Sequence, residues 1–233
     1  MAGRGAVVVV GGTRAIGLEL VKHYAARGDE VILTGRDQAN LDAAVAAVPG
    51  ARAIRFDLSE PHTIADALRD VGPVRRLALV AIDRDTNTIR DYDIARALHL
   101  VTLKLVGFTT VVHALLDRLD PATSSILLFG GMAKERPYPG STTVTTVNSG
   151  VVGITRTLVK ELAPMRVNSL HPGVVGDSPY WAGKQAAIDM YTSETPLGRL
   201  ATMAEIVDAA VFLLENGAVN GVDLFVDGGW HTR

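Results

Sequence analysis

The sequence predicts an α/β fold, a doubly wound parallel sheet with helices on both faces, and three observations carry that prediction. Ala6–Val10 is an alanine followed by four valines, β-branched and apolar throughout, which suits a strand buried on both faces of a parallel sheet. Gly11, Gly12 and Gly17 follow, and the apolar residues Ile16, Leu20, Val21 and Tyr24 then recur at helical spacing as far as Arg27, with Gly28 as a stop. A second strand-like run, 30–34, arrives at the distance that closes a βαβ unit. The length of 233 residues, with 48% hydrophobic and only 5% aromatic content, suits one domain with an aliphatic core.

Composition excludes several functions. The absence of cysteine removes disulfides and thiolate metal sites, and no metal is expected. A formal charge of −2 without a long basic run argues against nucleic acid or an anionic membrane as partner. No apolar run is expected to reach the length of a membrane span, and residues 1–5 are too short and polar for a signal peptide. A cytoplasmic protein is expected, without repeats, low-complexity tracts or linkers.

The chemistry starts at the first turn. A strand that runs through glycines into a helix N-terminus offers unpaired N–H groups and a positive dipole end to a phosphate, with no Cβ in the way. Gly11, Thr13, Arg14, Ile16 and Gly17 are therefore candidate pyrophosphate contacts, against the alternative of an ordinary βα turn. The second strand ends Leu33-Thr34-Gly35-Arg36-Asp37. Where an NAD-binding unit places an acidic residue against the ribose 2′-hydroxyl, this chain has Gly35 and then Arg36, which with Arg14 would bind a 2′-phosphate through charge-assisted hydrogen bonds. NADP(H) is thus favoured over NAD, unless both arginines are merely solvated.

Further along, 38–48 reads as a helix and 51–56 as a third strand, with Asp57 just past its end as an adenine contact or a turn cap. A helix over 61–71, a fourth strand over 76–82, one long amphipathic helix over 92–119 stopped near Pro121, and a fifth strand at Ser125–Phe129 follow.

Gly11-Gly12-Thr13-Arg14-Ala15-Ile16-Gly17 resembles the T-G-x-x-x-G-x-G turn of the short-chain dehydrogenase/reductase family, with Val10 for the threonine and Ala15 for the middle glycine. Met165-Arg166-Val167-Asn168-Ser169-Leu170-His171-Pro172-Gly173 resembles the family's sixth strand and its P-G turn beside the nicotinamide. Pro196-Leu197-Gly198-Arg199, the helical run 203–214, and Gly221 through Gly229 resemble its C-terminal third. The resemblance covers essentially the whole chain, 1–233, as one dinucleotide-binding domain. It implies a Rossmann-type sheet of about seven strands in the order 3-2-1-4-5-6-7, a nicotinamide contact at Pro172, Gly173 and Val175, and a substrate lid at about 174–196.

The resemblance fails at the family's catalytic residues. There a serine after strand five holds the substrate oxygen, a tyrosine supplies the proton, a lysine one helical turn on lowers the tyrosine's pKa, and an asparagine sits on the preceding helix. The stretch Val144-Thr145-Thr146-Val147-Asn148 aligns without gaps on the Y-x-x-x-K helix, so that Val144 stands for the tyrosine and Asn148 for the lysine. Gly131 stands for the serine, Lys104 for the asparagine, Ala81-Ile82-Asp83-Arg84 for the N-N-A-G run, and Asp177 for the threonine that contacts the carboxamide. The usual proton relay is expected to be missing.

Lys104 is a candidate substitute, an ammonium near Asn148 and the cofactor ribose, or else a solvated helix lysine. Tyr138, Ser141, Thr142 and Thr143 would face the substrate space or serve as loop polar residues. His171 is a titratable group beside the P-G turn or a structural strand-end histidine. In the lid, Tyr180 and Trp181, with Lys184 and Tyr191, would line a pocket or pack a short helix. Gly150, Gly153, Ile154 and Leu158 are compatible with helix pairing in a homodimer or homotetramer.

Three functions remain open. The first is a reductase of a small molecule with atypical or absent proton delivery, favouring a conjugated C=C or an imine/iminium over a simple ketone. The second is a catalytically silent nucleotide-binding sensor or partner subunit. The third is a non-redox isomerase or cyclase. The first is preferred because the lid and pocket segments remain long and aromatic.

Overall fold

Seven strands lie side by side, all parallel, in the order β3-β2-β1-β4-β5-β6-β7, as the resemblance implied. The computed structural model describes residues 5–232. Most of the segment weighed above as a signal peptide, 1–4, therefore lies outside the described residues.

The strands are β1 (Ala6–Val10), β2 (Val31–Gly35), β3 (Arg52–Arg55), β4 (Val74–Leu79), β5 (Ser125–Phe129), β6 (Arg166–Pro172) and β7 (Asp223–Val226). The helices are α1 (Ala15–Ala26), α2 (Gln38–Ala47), α3 (Ile64–Ala67), α4 (Ile94–Val101), α5 (Phe108–Leu115), α6 (Thr142–Glu161), α7 (Gln185–Glu194) and α8 (Met203–Glu215).

The valine run explains the centre. Alternation along a strand sends Val8 and Val10 to one face with Ile32, Leu77, Leu79 and Ile126, where Phe108, Val111 and Leu115 of α5 and Val151 of α6 cover them. Val7 and Val9 join Leu33, Ala78, Leu127 and Leu170 on the other face, beneath Leu20, Val21 and Tyr24 of α1 and Ile206, Ala210 and Leu213 of α8. All four valines are at most 1% exposed, and each such side chain contributes roughly 1.5–3 kcal/mol of burial. A Thr202/Glu205 capping box starts α8.

Several expected elements differ. The fourth strand ends at Leu79, because Val80 and Ala81 both donate to the Val10 carbonyl and the chain peels off the ladder. The helix expected over 61–71 is a single 3₁₀ turn, Pro61–Thr63, and the short α3, with Gly72-Pro73 close behind to stop it. The long helix after β4 is interrupted by a π-helical segment, Thr102–Gly107. There the hydroxyls of Thr109 and Thr110 donate back to the Leu105 and Val106 carbonyls, both at 2.8 Å, drawing them out of the regular ladder.

One exclusion also needs correction. The stretch Ile94–Arg118, 25 residues of mean hydropathy 1.5, is long and apolar enough to cross a membrane by length and composition. Here its apolar side covers the sheet through α5. Gly150 is likewise turned inward rather than free for a second subunit: a Cβ there would lie 2.8 Å from Leu105, so this glycine seats α6 against the π segment. Leu158 is a core residue, Ile154 packs against that core, and Gly153 faces open space.

Candidate cofactor and substrate cleft

The chain leaves β1 toward β2 and β3 on one side and returns to β4 on the other, so the carboxyl ends of β1 and β4 form the switch-point crevice where open α/β sheets bind ligands. The glycine turn on its floor is tightly constrained. Gly11 has φ +86° and a Cβ on it would come 2.6 Å from Ala81 Cα; a Cβ on Gly17 would come 2.1 Å from the Gly11 carbonyl oxygen. Ala15, where the family turn has glycine, nevertheless has φ +46°, so the glycine conformation is retained at an alanine. At the start of α1 no side chain of Arg14 caps the helix and no acid occupies the first turn, which leaves the N-terminal N–H groups open to an anion. These residues fit a dinucleotide pyrophosphate.

Thr13 lies on Gly35, where a Cβ would clash with Thr13 Cγ2 at 2.7 Å. Beyond it a cleft of about 420 Å³ is lined by Arg36, Arg55, Phe56 and Asp57. Asp57 closes a turn by accepting from Ser59 N and Oγ at 2.8 and 2.7 Å while still lining this cleft. Sequence reasoning missed Arg55. Its ladder partner is Gly35 and its Nε donates to the Arg36 carbonyl at 3.1 Å, a neighbourhood that only the β2–β3 register reveals.

It also missed Asp83 as a site residue. From the loop after β4 this carboxylate meets Arg36 Nη1 at 2.9 Å, His99 Nε2 at 3.1 Å and the Arg84 N–H at 2.9 Å. Partial burial alone would push its pKa up, but the donors from Arg84, His99 and Arg36 outweigh that and hold it below the usual carboxylate range.

Toward β5 and β6 two of the three residues at the aligned catalytic positions, Gly131 and Asn148, pack against each other. Asn148 is buried, Val144 half-buried, and a Cβ on Gly131 would fall 2.9 Å from Asn148 Nδ2. The asparagine thus takes the volume that a serine at position 131 would need. Lys104 is not a solvated helix lysine: it is 1% exposed, its Nζ donates to the Ala81 carbonyl at 3.1 Å and lies 4.7 Å from the Phe108 ring centre. Desolvation draws its pKa down to about 7.

The loop hydroxyls serve mainly the fold. Ser141 Oγ donates to the Tyr138 carbonyl at 2.7 Å, and Thr143 Oγ1 accepts from Asn87 at 3.3 Å. Tyr138 is half-exposed, and burial first, then the neighbouring Tyr191, raises its pKa against the opposing pull of Arg84. Among the described residues no hydrogen bond joins a tyrosine hydroxyl to a lysine amine. His171 is fully buried, 3.0 Å from Ser169 Oγ, which itself donates to Asp223. Desolvation foremost, with Lys134 adding to it, lowers its pKa to about 4, so it is a neutral structural residue at ordinary pH.

Gly173 follows Pro172 and packs on Asp227, where a Cβ would lie 2.7 Å from the aspartate Cβ, and Val175 bridges to Ala201. Asp177 caps α8 by accepting from Met203 N at 2.8 Å. In 174–196 the aromatics pack edge to face in a row: Tyr180 on Trp181 at 4.9 Å, Trp181 on Tyr191 at 5.6 Å, and Tyr191 on Trp230 at 5.8 Å. Trp230, unmarked in the sequence reading, anchors that row through a 3.0 Å hydrogen bond from Nε1 to Glu194, and Arg84 reaches over from the β4 loop to lie 3.4 Å above Tyr180.

A family model described as enoyl-(acyl carrier protein) reductase matches residues 10–231. The chain belongs to the short-chain dehydrogenase/reductase family. L-xylulose reductase of Bos taurus is 31% identical over 99% of this chain and 97% of its own length. Carbonyl reductase family member 4 of Danio rerio is 29% identical over 95% and 96%. A solved short-chain dehydrogenase/reductase family protein superimposes with a TM-score of 0.89 at 28% identity, covering 99% of both chains. The MalC reductase/Diels-Alderase of Malbranchea aurantiaca shares the fold, with a TM-score of 0.90 at 22% identity over 99% and 97%.

Proposed function

We propose that this oxidoreductase-family chain binds NADP(H) and reduces a small acceptor without the usual serine-tyrosine-lysine relay, an iminium or a conjugated C=C rather than a plain ketone. The observation that carries the reading is the packing of Asn148 against Gly131, which with Val144 at the third aligned position leaves no acid there, alongside an open phosphate cradle. The cofactor would supply hydride. Gly11 to Gly17 would hold its pyrophosphate, Arg36 and Arg55 its adenosine end, and Pro172 to Val175 its nicotinamide end.

A ketone that accepts hydride becomes an alkoxide, and a positioned acid commonly contributes about 10²- to 10⁴-fold to that step. An iminium already carries the positive charge that hydride neutralises, and a conjugated alkene can pass its charge to a distant carbonyl and take a proton from water. Val144 and Asn148 shape such a site without supplying a proton. Lys104 donates to the Ala81 carbonyl, so its part is to brace the loop over the glycine turn.

We further propose that 174–196 acts as the substrate lid, with Tyr138, Tyr180 and Trp181 bordering the pocket. The chain would form a homodimer or homotetramer through the exposed face of α4 and the π segment, where Ile94, Leu98 and Val106 are 66%, 61% and 46% exposed. A cysteine-free chain is at home in the reducing cytoplasm, the compartment we propose for it.

NADPH binding followed by fluorescence, then NADPH consumption with matched ketones, enones and cyclic imines, tests the reading. Saturable turnover confined to enones or imines is expected. Rapid turnover of unactivated ketones would refute the missing relay, and absence of any NADPH binding would refute the cofactor assignment.

A further inference from the structure

We propose that Asp83 narrows the NADP(H) preference that Arg36 gives this cleft, by competing with a 2′-phosphate for Arg36 and by presenting its carboxylate to the diol of an unphosphorylated ribose. The inference rests on the reading above that the cleft takes a nicotinamide dinucleotide.

Arg36 at the end of β2 and Asp83 after β4 stand on opposite sides of β1, and their 2.9 Å ion pair spans the crevice between the two strands. An arginine that waits for a phosphate is already neutralised by an anion from its own chain. The carboxylate absent at Gly35 is restored from the far side of the crevice. Asp83 is firmly placed, since its Oδ1 accepts from the Arg84 N–H and its Oδ2 is shared by Arg36 and His99.

The loop that carries it is also tied down. Asn87 Nδ2 donates to Asp85 Oδ2, the Asp93 carbonyl and Thr143 Oγ1 at 3.1, 3.0 and 3.3 Å, and Thr142 N donates back to the Asn87 carbonyl. A second cavity of about 300 Å³, lined by Asp83, Arg84, Arg96 and His99 among others, adjoins the carboxylate.

A 2′-phosphate on Arg36 would approach Asp83 within a few ångströms. Repulsion between a phosphate carrying nearly two charges and one carboxylate about 5 Å away, with water between them at its bulk dielectric, amounts to about tenfold in affinity. An unphosphorylated ribose meets no such penalty and can donate its hydroxyls to the carboxylate.

The test uses two fragment probes, adenosine 2′,5′-bisphosphate and adenosine 5′-monophosphate, with NADPH and NADH in parallel, titrated calorimetrically into wild type, Asp83→Asn and Asp83→Ser. Both variants are expected to bind the bisphosphate and NADPH about tenfold more tightly, and the monophosphate and NADH no more tightly than wild type. Adding Arg36→Gln should cancel the gain. Equal tightening of phosphorylated and unphosphorylated probes would mean simple unblocking and would overturn the inference, as would no change in any of them; in either case the dinucleotide reading stands. Failure of all four probes to bind any form of the protein would remove that reading and this inference together.

Discussion

Lys104→Met replaces a buried ammonium with an unbranched apolar chain of similar length, and it should stabilise the protein most at low pH. The folded-state pKa is lowered from 10.5 to about 7, a gap that at about 1.36 kcal/mol per pH unit makes the charged form roughly 5 kcal/mol less favourable in the fold than in the unfolded chain. Relaxation around the site reduces that figure, and methionine also gives up the hydrogen bond to the Ala81 carbonyl, worth about 1 kcal/mol. A net stabilisation of about 2–3 kcal/mol is expected at about pH 6, where both states of the wild type are protonated and the penalty is fully present.

Above pH 7 the folded amine loses its proton while the unfolded one keeps it up to 10.5. The wild type therefore gains stability as pH rises, by up to about 1.4 kcal/mol per pH unit, and the methionine variant does not. The difference between the two proteins should shrink by roughly 2–3 kcal/mol between about pH 7 and pH 9. Urea unfolding of both at several pH values measures it, and every other titrating group cancels in the subtraction. A difference that stays constant across this range would refute the argument that Lys104 is desolvated and titrates near neutrality.

Ala15→Gly should stabilise the protein by a few tenths to about 1 kcal/mol, because relief of φ +46° outweighs the extra freedom of glycine in the unfolded chain; a lower melting temperature would contradict it. Gly17→Ala drives a Cβ to 2.1 Å from a backbone oxygen that cannot move away, so a loss of at least about 2 kcal/mol and of nucleotide binding is expected, with unchanged nucleotide affinity as the adverse result. His171, with its pKa lowered from 6.5 to about 4, contributes stability above pH 6.5 that is lost as pH falls toward 4, since the unfolded chain takes up the proton first. His171→Gln should flatten the dependence of thermal unfolding on pH in that window, and an unaltered acid limb would count against burial as its cause.

Local regularities made much of this protein legible. Four consecutive valines name a doubly covered strand because alternate side chains must all find apolar neighbours. Glycines at 11 and 17 mark a turn in which backbone approaches backbone, and the spacing of Ile16 to Tyr24 names the helix that follows it. Arg36 and Asp57 were found by their distance from strand ends, and the structure puts both at one cleft. The residues at 131, 144 and 148 were also located by spacing, although spacing says nothing of their fit to one another.

What depends on residues far apart in the chain needed the tertiary structure. Arg36 meets Asp83 across 47 residues because the sheet sets β2 and β4 on either side of β1, and no periodicity carries that information. The sequence leaves Lys104 as either an ammonium at the cleft or a solvated helix lysine, and only the π segment turns it inward to the Ala81 carbonyl. Gly150, Arg55 and Trp230 acquire their roles only from neighbours that another element delivers. Sequence determined which elements form and where the chain can bend, because propensity and side-chain alternation act over a few residues. The ion pairs and buried charges of the cleft were decided by packing, because desolvation and Coulomb energy depend on distances that exist only after the sheet has assembled.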